Sequence, residues 1–247
     1  TMKSPWPTKK LDECIKEGLI ELKRGKIISE IDMRNCPGDY PVYSSSAQNN
    51  GLFGYYGKYM FDEELITWSV DGGGYFFYRP KHKFSVTNVV GILRLRTNEL
   101  IYKFVYYCLI WQRNQLEFDY IKKAHPSVIK ELYYIAFPPL SIQQKIVSIL
   151  DAIQEGVEVQ EKIIERTKEL KKAMMVELFK YGAPSFRKGR RLKKTEIGEI
   201  PEDWEVVRLG EIFSIYAGGD ITKLNYSPVK TEKYIYPIYS NTTENKG

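Results

Sequence analysis

Residues 141–181 read SIQQKIVSILDAIQEGVEVQEKIIERTKELKKAMMVELFKY. Ile142, Ile146, Ile149, Leu150, Ile153, Val157, Ile163, Ile164, Leu170, Met174 and Leu178 recur at spacings of three, four and seven. That is the apolar stripe of an amphipathic helix. Charged residues fill the other positions, with Glu161 and Glu165 spaced seven from Lys168 and Lys172. No proline interrupts the run, and Gly156 is its one glycine. At ~1.5 Å per residue the helix is on the order of 60 Å long. A stripe of that length cannot be buried inside one small domain, so the pattern predicts a partner helix, in this chain or another. Pro138 and Pro139 stop the chain before it. Ser141 is the expected N-cap with Gln144 at the third helical position, and Gly182 with Pro184 is the expected end.

Working outward, 247 residues allow one to two domains. A net charge of +6 permits nucleic acid as a partner, but a solvated surface explains it equally well. Nineteen tyrosines suit polar recognition through loops or packing in β-structure. Cys14, Cys36 and Cys108 are far apart and form no CxxC or Cys/His cluster. A disulfide framework and a zinc site are therefore not expected, and a reducing, cytoplasmic compartment fits. No stretch approaches the roughly 20 apolar residues of a membrane span, and TMKSPWPTKK does not read as a signal peptide.

Residues 1–140 read as one α+β domain with an irregular, mostly β core. Residues 23–26 (KRGK) form a basic turn before a short strand over 27–31. YPVYS at 40–44 ends a strand and runs into a polar stretch holding Ser45, Ser46, Gln48, Asn49 and Asn50. LITWSV at 65–70 is a clear strand with Trp68 in the core, and Asp71 with three glycines is its turn. Residues 75–79 return, and Lys81, His82 and Lys83 make a basic tip. Residues 102–115 carry helical spacing, and Lys122, Lys123 and His125 lie in a late loop. The long helix occupies 141–182, and a basic linker covers 183–203, where RKGRRLKK reads first as a solvated charge run.

The chain then repeats itself. Trp204 and Leu209 stand 198 residues after Trp6 and Leu11. YPIYSNTTENKG at 236–247 matches YPVYSSSAQNNG at 40–51 at six of twelve positions. Residues 204–247 are thus the beginning of a second, incomplete copy of the first unit. Its remaining strands are expected from a longer chain or from another chain. Two similar units held apart by a long helix form a ruler, and a ruler with two readers suits a bipartite DNA site with a fixed spacer.

The motifs together resemble the specificity subunit of type I restriction-modification systems. The resemblance rests on the Trp-x4-Leu opening of both copies, the YPVYSSSAQNNG and YPIYSNTTENKG segments, and LITWSVDGGG. It rests equally on FPPLSIQQKIVSILDAI at the start of the helix and TEIGEIPEDWEVVRLGEI at 195–212. It implies target-recognition domains alternating with helical spacer and dimerisation regions, in a non-catalytic subunit. The implied partners are double-stranded DNA, two methylation subunits and a restriction subunit. Self-association through the long helix is also implied. S-adenosylmethionine, ATP and Mg would sit on partner subunits only.

The residues support the non-catalytic reading. No GxGxxG, no phosphate loop and no Asn-Pro-Pro-Tyr motif is present. His82 and His125 each lie beside lysines, which gives no catalytic triad and no metal site. DNA contact calls for cations against phosphates and for polar side chains against base edges. Candidates are Ser45, Ser46, Gln48, Asn49 and Asn50, whose plainer role is a strand-capping turn. Tyr55 and Lys58 are contact residues or core-edge residues. Lys81, His82, Lys83, Lys122, Lys123 and His125 are groove or backbone contacts. Two other readings stay open: the recognition end of a fused methyltransferase-nuclease, and a coiled-coil assembly scaffold.

Overall fold

The computed structural model describes residues 5–71, 73–116, 124–182, 191–219 and 226–239. They divide into two units, Thr1–Ile164 and Glu165–Gly247. The class is mixed α and β, as the sequence predicts.

In the first unit, β1 (Thr8–Lys10) leads directly into α1 (Leu11–Lys16). β2 (Ile20–Arg24), α2 (Glu30–Asn35), β3 (Tyr40–Tyr43) and β4 (Leu52–Tyr56) follow. β5 (Phe61–Ser69), β6 (Phe76–Val86) and β7 (Val90–Leu95) complete a six-stranded sheet in the order β2-β7-β5-β6-β3-β4. Every neighbouring pair is antiparallel except β3 with β6. Then come α3 (Tyr102–Arg113), α4 (Pro126–Leu132) and β8 (Tyr134–Ala136), the last paired with β1. This pairing ties the two ends of the globular part together just before the long helix.

Alternation along β5 explains the layers. Ile66 and Trp68 face α1, α3 and α4 in the larger core, with Leu93, Phe104, Leu109 and Ile135. Leu65 points the other way, to a smaller core of Phe84, Val86, Val90 and Ile92 flanked by Tyr43 and Phe61. Each such side chain contributes about 1.5–3 kcal/mol on burial. Trp68 is fully buried, and its indole N–H donates to the carbonyl of Ala124 at 2.7 Å.

Two local expectations about this unit's strands are corrected. Residues 27–31 are not a strand. The strand is β2, just before them, and Ser29 opens α2 with a capping box in which Ser29 and Asp32 satisfy each other's backbone N–H groups. Residues 81–83 are not a tip, because β6 runs through them as one strand to Val86, paired with β5 through a register shift between Glu63 and Leu65. Pro80 sits at that irregularity, where a missing N–H is tolerated.

The helix α5 (Leu140–Tyr181) has 42 residues. It begins one residue earlier than expected. The Pro139 carbonyl accepts from the N–H groups of Ile142 and Gln143, so Ser141 lies inside the first turn and is not the cap. Its end matches the expectation: Gly182 has φ +75° and donates to the Leu178 carbonyl. Pro184 lies outside the described residues. Within the first unit, Ile146 and Val147 pack on the core, while Ile142 and Leu150 are half-buried. The buried residue of α5 is a polar one, Gln143. From Ile149 on, Ile153, Val157, Ile163, Ile164, Leu170, Met174 and Leu178 are all exposed. The stripe is therefore uncovered in the single chain.

In the second unit, β9 (Leu192–Thr195) and β10 (Gly198–Pro201) pair as a hairpin within the stretch read as a linker. Lys180 near the end of α5 pairs with Glu199 of β10 at 2.5 Å. α6 (Leu209–Ile212) starts at the leucine that repeats Leu11, where α1 starts. Unlike Leu11, which is fully buried, Leu209 is 65% exposed.

Candidate nucleic-acid interface

The β3–β4 connection is built from its polar composition. Ser44 N–H donates to the Gly51 carbonyl at 2.8 Å and closes the loop. Ser46 Oγ accepts from the Gln48 N–H at 3.1 Å. Asn49, Asn50 and Gly51 follow with φ of 48°, 52° and 75°. Asparagine tolerates this left-handed backbone better than other side chains, though at a cost of roughly 1–2 kcal/mol per residue. The turn role read from the sequence is thus present, and the side chains of Ser46, Gln48, Asn49 and Asn50 remain exposed, with Ser45 half-buried. An open pocket of about 560 Å³ lies between residues 44–47, Leu52, Phe53 and Asp71.

Beneath this loop lies Arg79, which is 1% exposed. Its Nε donates to Thr67 Oγ1 at 3.0 Å and its Nη2 to the Asn50 carbonyl at 2.9 Å. The guanidinium stacks 3.6 Å from the Tyr43 ring. No carboxylate pairs with it among the described residues. Burial pushes its pKa down to about 10, so it is still charged at neutral pH.

Further along β6, His82 is fixed by chemistry. Its Nδ1–H donates to the Pro80 carbonyl at 2.6 Å, since a carbonyl can only accept. In the neutral ring Nε2 therefore accepts from the Tyr43 hydroxyl at 3.1 Å. The imidazole stacks on Phe84 at 4.6 Å. Lys83 stands over the Tyr59 ring at 4.9 Å, and Tyr59 meets Tyr40 edge-on at 5.0 Å. Lys81 is exposed. Lys58 follows β4, and its carbonyl accepts from Ser85 Oγ of β6. Tyr55 and Phe53 alternate outward on the edge strand β4.

Most cations elsewhere in the first unit are ion-paired; the exceptions among the described residues include Arg113, which donates to the Gly73 carbonyl, and Lys145 and Lys162 on α5. On α1, α4 and β1, Lys16 and Lys130 share Asp12, and Lys10 pairs with Glu131. On β7 and just beyond it, Arg94 pairs with Glu21 and Glu63, and Arg96 with Glu21. Lys103 pairs with Asp151. Lys58, Lys81 and Lys83 make no ion pair among the described residues, although the Lys58 charge adds a minor share to holding the Asp32 pKa down, behind the hydrogen bonds from Ser29. Lys26, bridged to Thr87, and Arg24, which donates to the Asn88 carbonyl, make none among them either. Lys81 and Lys83 hang on the second half of β6, Lys58 and Lys26 on segments bonded to its end, and Arg24 on β2 reaches the turn that follows it. A cation whose charge is not spent internally is the kind that exchanges counterions for phosphates.

The structure therefore brings together Ser45, Ser46, Gln48, Asn49, Asn50, Tyr55, Lys58, Lys81, His82 and Lys83. It does not bring His125 to them. That ring caps α4, where Nδ1 accepts from the Ser127 hydroxyl at 2.8 Å. Lys122 and Lys123 lie outside the described residues. Arg24, Lys26 and Arg79 were missed from the sequence. Arg79 carried one usable signal, its place two residues after Phe77 on the same face of a strand. Among the described residues no group of three or more His, Cys, Asp and Glu is placed to hold a metal. No described helix is long and apolar enough to cross a membrane.

The family model for the type I restriction modification DNA specificity domain matches residues 4–169. The chain is 34% identical over 140 residues to the type I restriction enzyme MpnII specificity subunit of Mycoplasma pneumoniae, covering 56% of this chain and 42% of that one. It is 29% identical over 209 residues to the type I restriction enzyme MjaVIII specificity subunit of Methanocaldococcus jannaschii, covering 81% of this chain and 48% of that one. The crystal structure of a type I restriction-modification system S subunit from M. genitalium shares the fold with a TM-score of 0.57 at 20% identity, over 91% of this chain and 57% of that one. The chain spans about half the length of the curated relatives it matches.

Proposed function

The chain belongs to the type I restriction modification DNA specificity domain family, and from that membership we propose that its first unit is a non-catalytic reader of double-stranded DNA. The observation that carries the reading is the group of cations along β6 that make no ion pair among the described residues, set beside the exposed polar loop between β3 and β4. Lysines 58, 81 and 83 supply phosphate contacts, and Gln48, Asn49 and Asn50 supply donors and acceptors for base edges.

In this reading α5 is the spacer. Its uncovered stripe takes a second helix, from a longer chain or from a second copy of this one, and so sets the distance between two readers. The assembled enzyme carries two methylation subunits and a restriction subunit. S-adenosylmethionine, ATP and Mg belong to those partners, and the complex works in the cytoplasm. A solved relative described as part of complex assembly of the type I restriction-modification system supports the multisubunit setting, with a TM-score of 0.53.

The test is a selection from a random duplex library with the chain co-purified with its methylation subunit. Two short motifs at a fixed spacing establish a bipartite reader. A palindromic pair means that two copies assemble. Absence of any enriched motif from a folded complex rejects the reading in favour of an assembly scaffold.

A further inference from the structure

We propose that Arg79 is the positioning residue for base readout, holding residues 48–50 in the one backbone conformation that presents their side chains to DNA. The proposal rests on the DNA-reading function above and assigns the residue that sets its specificity without touching DNA.

The reasoning begins with cost. A guanidinium that is 1% exposed and lacks a carboxylate is an expensive occupant of a protein interior. Methionine or leucine would fill the space beside Phe77 and Tyr43 without that desolvation. What the position provides is therefore the hydrogen bonds. One goes inward to Thr67, and one goes to the carbonyl of Asn50, inside the loop. The flat face of the guanidinium lies on Tyr43, the residue from which the loop departs. Arg79 thus grips the loop at its stem and at its strained turn.

That turn needs a grip. Three successive left-handed residues, two of them not glycine, are a conformation the chain leaves unless its surroundings enforce it. The backbone N–H of Gly51 donates to Gln48 within the turn, and the Ser44 N–H closes the loop on the Gly51 carbonyl. The Asn50 carbonyl is held by Arg79. Without it, Asn49 and Asn50 can relax to right-handed backbone, which swings their side chains away from any fixed base position. Nη1 of Arg79 makes no hydrogen bond, so the grip rests on a fork oriented by its other two nitrogens.

The experiment compares the full chain, in complex with its methylation subunit, with Arg79→Met, Arg79→Lys and Thr67→Val in the same library selection. Arg79→Met is expected to reduce preference at one or two adjacent base positions by about tenfold or more while the other positions keep theirs. The salt dependence of binding stays unchanged, because Arg79 contacts no phosphate. Arg79→Lys, which keeps a donor within reach of Asn50, restores part of the preference. Thr67→Val lowers the melting temperature and weakens the same base positions less than Arg79→Met does, since it loosens the fork but keeps the bond to Asn50. If Arg79→Met does not fold, the Lys and Val variants carry the comparison. A uniform loss at all positions, or a salt slope reduced by one contact, overturns the proposal. So does an unchanged motif in both Arg79 variants. A wild-type complex that enriches no motif overturns the DNA-reading function itself, and this proposal with it.

Discussion

The side-chain oxygen of Gln143 accepts from the backbone N–H of Ile101 at 2.9 Å, and its amide nitrogen donates to the carbonyls of Glu99 and Pro138. One fully buried amide thereby joins the segment before α3, the approach to α5, and α5 itself. Two turns on, Asp151 of the same helix accepts from Lys103 and Tyr107 of α3 at 2.6 and 2.7 Å. These two clamps fix the direction in which α5 leaves the first unit. Replacing Gln143 with leucine keeps the volume but leaves one donor and two acceptors buried without partners. The expected cost is about 2–4 kcal/mol. Urea denaturation measures it, with Gln144→Leu, an exposed neighbour, as the near-neutral control.

The unpaired lysines of β6 make a prediction about salt. Lys81→Glu and Lys83→Glu should each weaken DNA binding and lower the slope of log affinity against log salt by about 0.9 for a lost phosphate contact. Lys16→Gln, on α1 and already paired with Asp12, should leave the slope unchanged. Binding titrations across a series of salt concentrations read both quantities. Equal slopes in wild type and both β6 variants would remove this strand from the interface.

Carboxylates that neutralise the paired cations predict the acid limb of stability. Donation from Lys23, then from Arg96 and Arg94, holds Glu21 down to about 2. Donation from Lys130 and then Lys16 holds Asp12 down to about 2. Both folded values lie below the unfolded ones, so their stabilisation is present above the ordinary carboxylate range. It is lost as pH falls through the folded values. Denaturation midpoints should therefore decline from about pH 4.5 to about pH 2, and Glu21→Gln should flatten that decline. Parallel curves for wild type and variant would assign the acid limb to other groups.

The long helix was legible because 42 residues of uninterrupted period leave no other regular structure. Trp68 and the β5 strand were legible for the same reason at period two. Residues 27–31 were misread because isoleucines at 27, 28 and 31 suggest a strand, whereas Ser29 and Asp32 already spell a capping box, and Ile27 and Ile31 are exposed. Residues 81–83 were misread because Pro80 looks like a break, while the sheet absorbs it as an irregularity. The polar loop announced itself by composition. Arg79 did not, because burial of a charge depends on what folds over it, and Tyr43 and Asn50 come from a strand and a loop some thirty residues earlier.

Gly91 on β7 faces Trp68 on β5, its cross-strand partner. Its φ needs no glycine; the ring does. A Cβ at position 91 would overlap three ring carbons of Trp68, far inside van der Waals contact. The indole cannot yield easily, because its N–H is committed to the Ala124 carbonyl and Phe76 packs against it at 6.1 Å. Gly91→Ala is therefore expected to cost at least the roughly 1–3 kcal/mol of an overpacked core, despite adding a single methyl group. Trp68→Phe alone should also destabilise, through a cavity and an orphaned carbonyl. The double variant gives the deciding measurement. A smaller ring leaves room for the methyl, so Gly91→Ala should cost less in the Trp68→Phe background than in the wild type, a coupling that a double-mutant cycle in urea reads directly. Additive costs would mean that the strain at position 91 is relieved through the backbone of β7 and not through the indole.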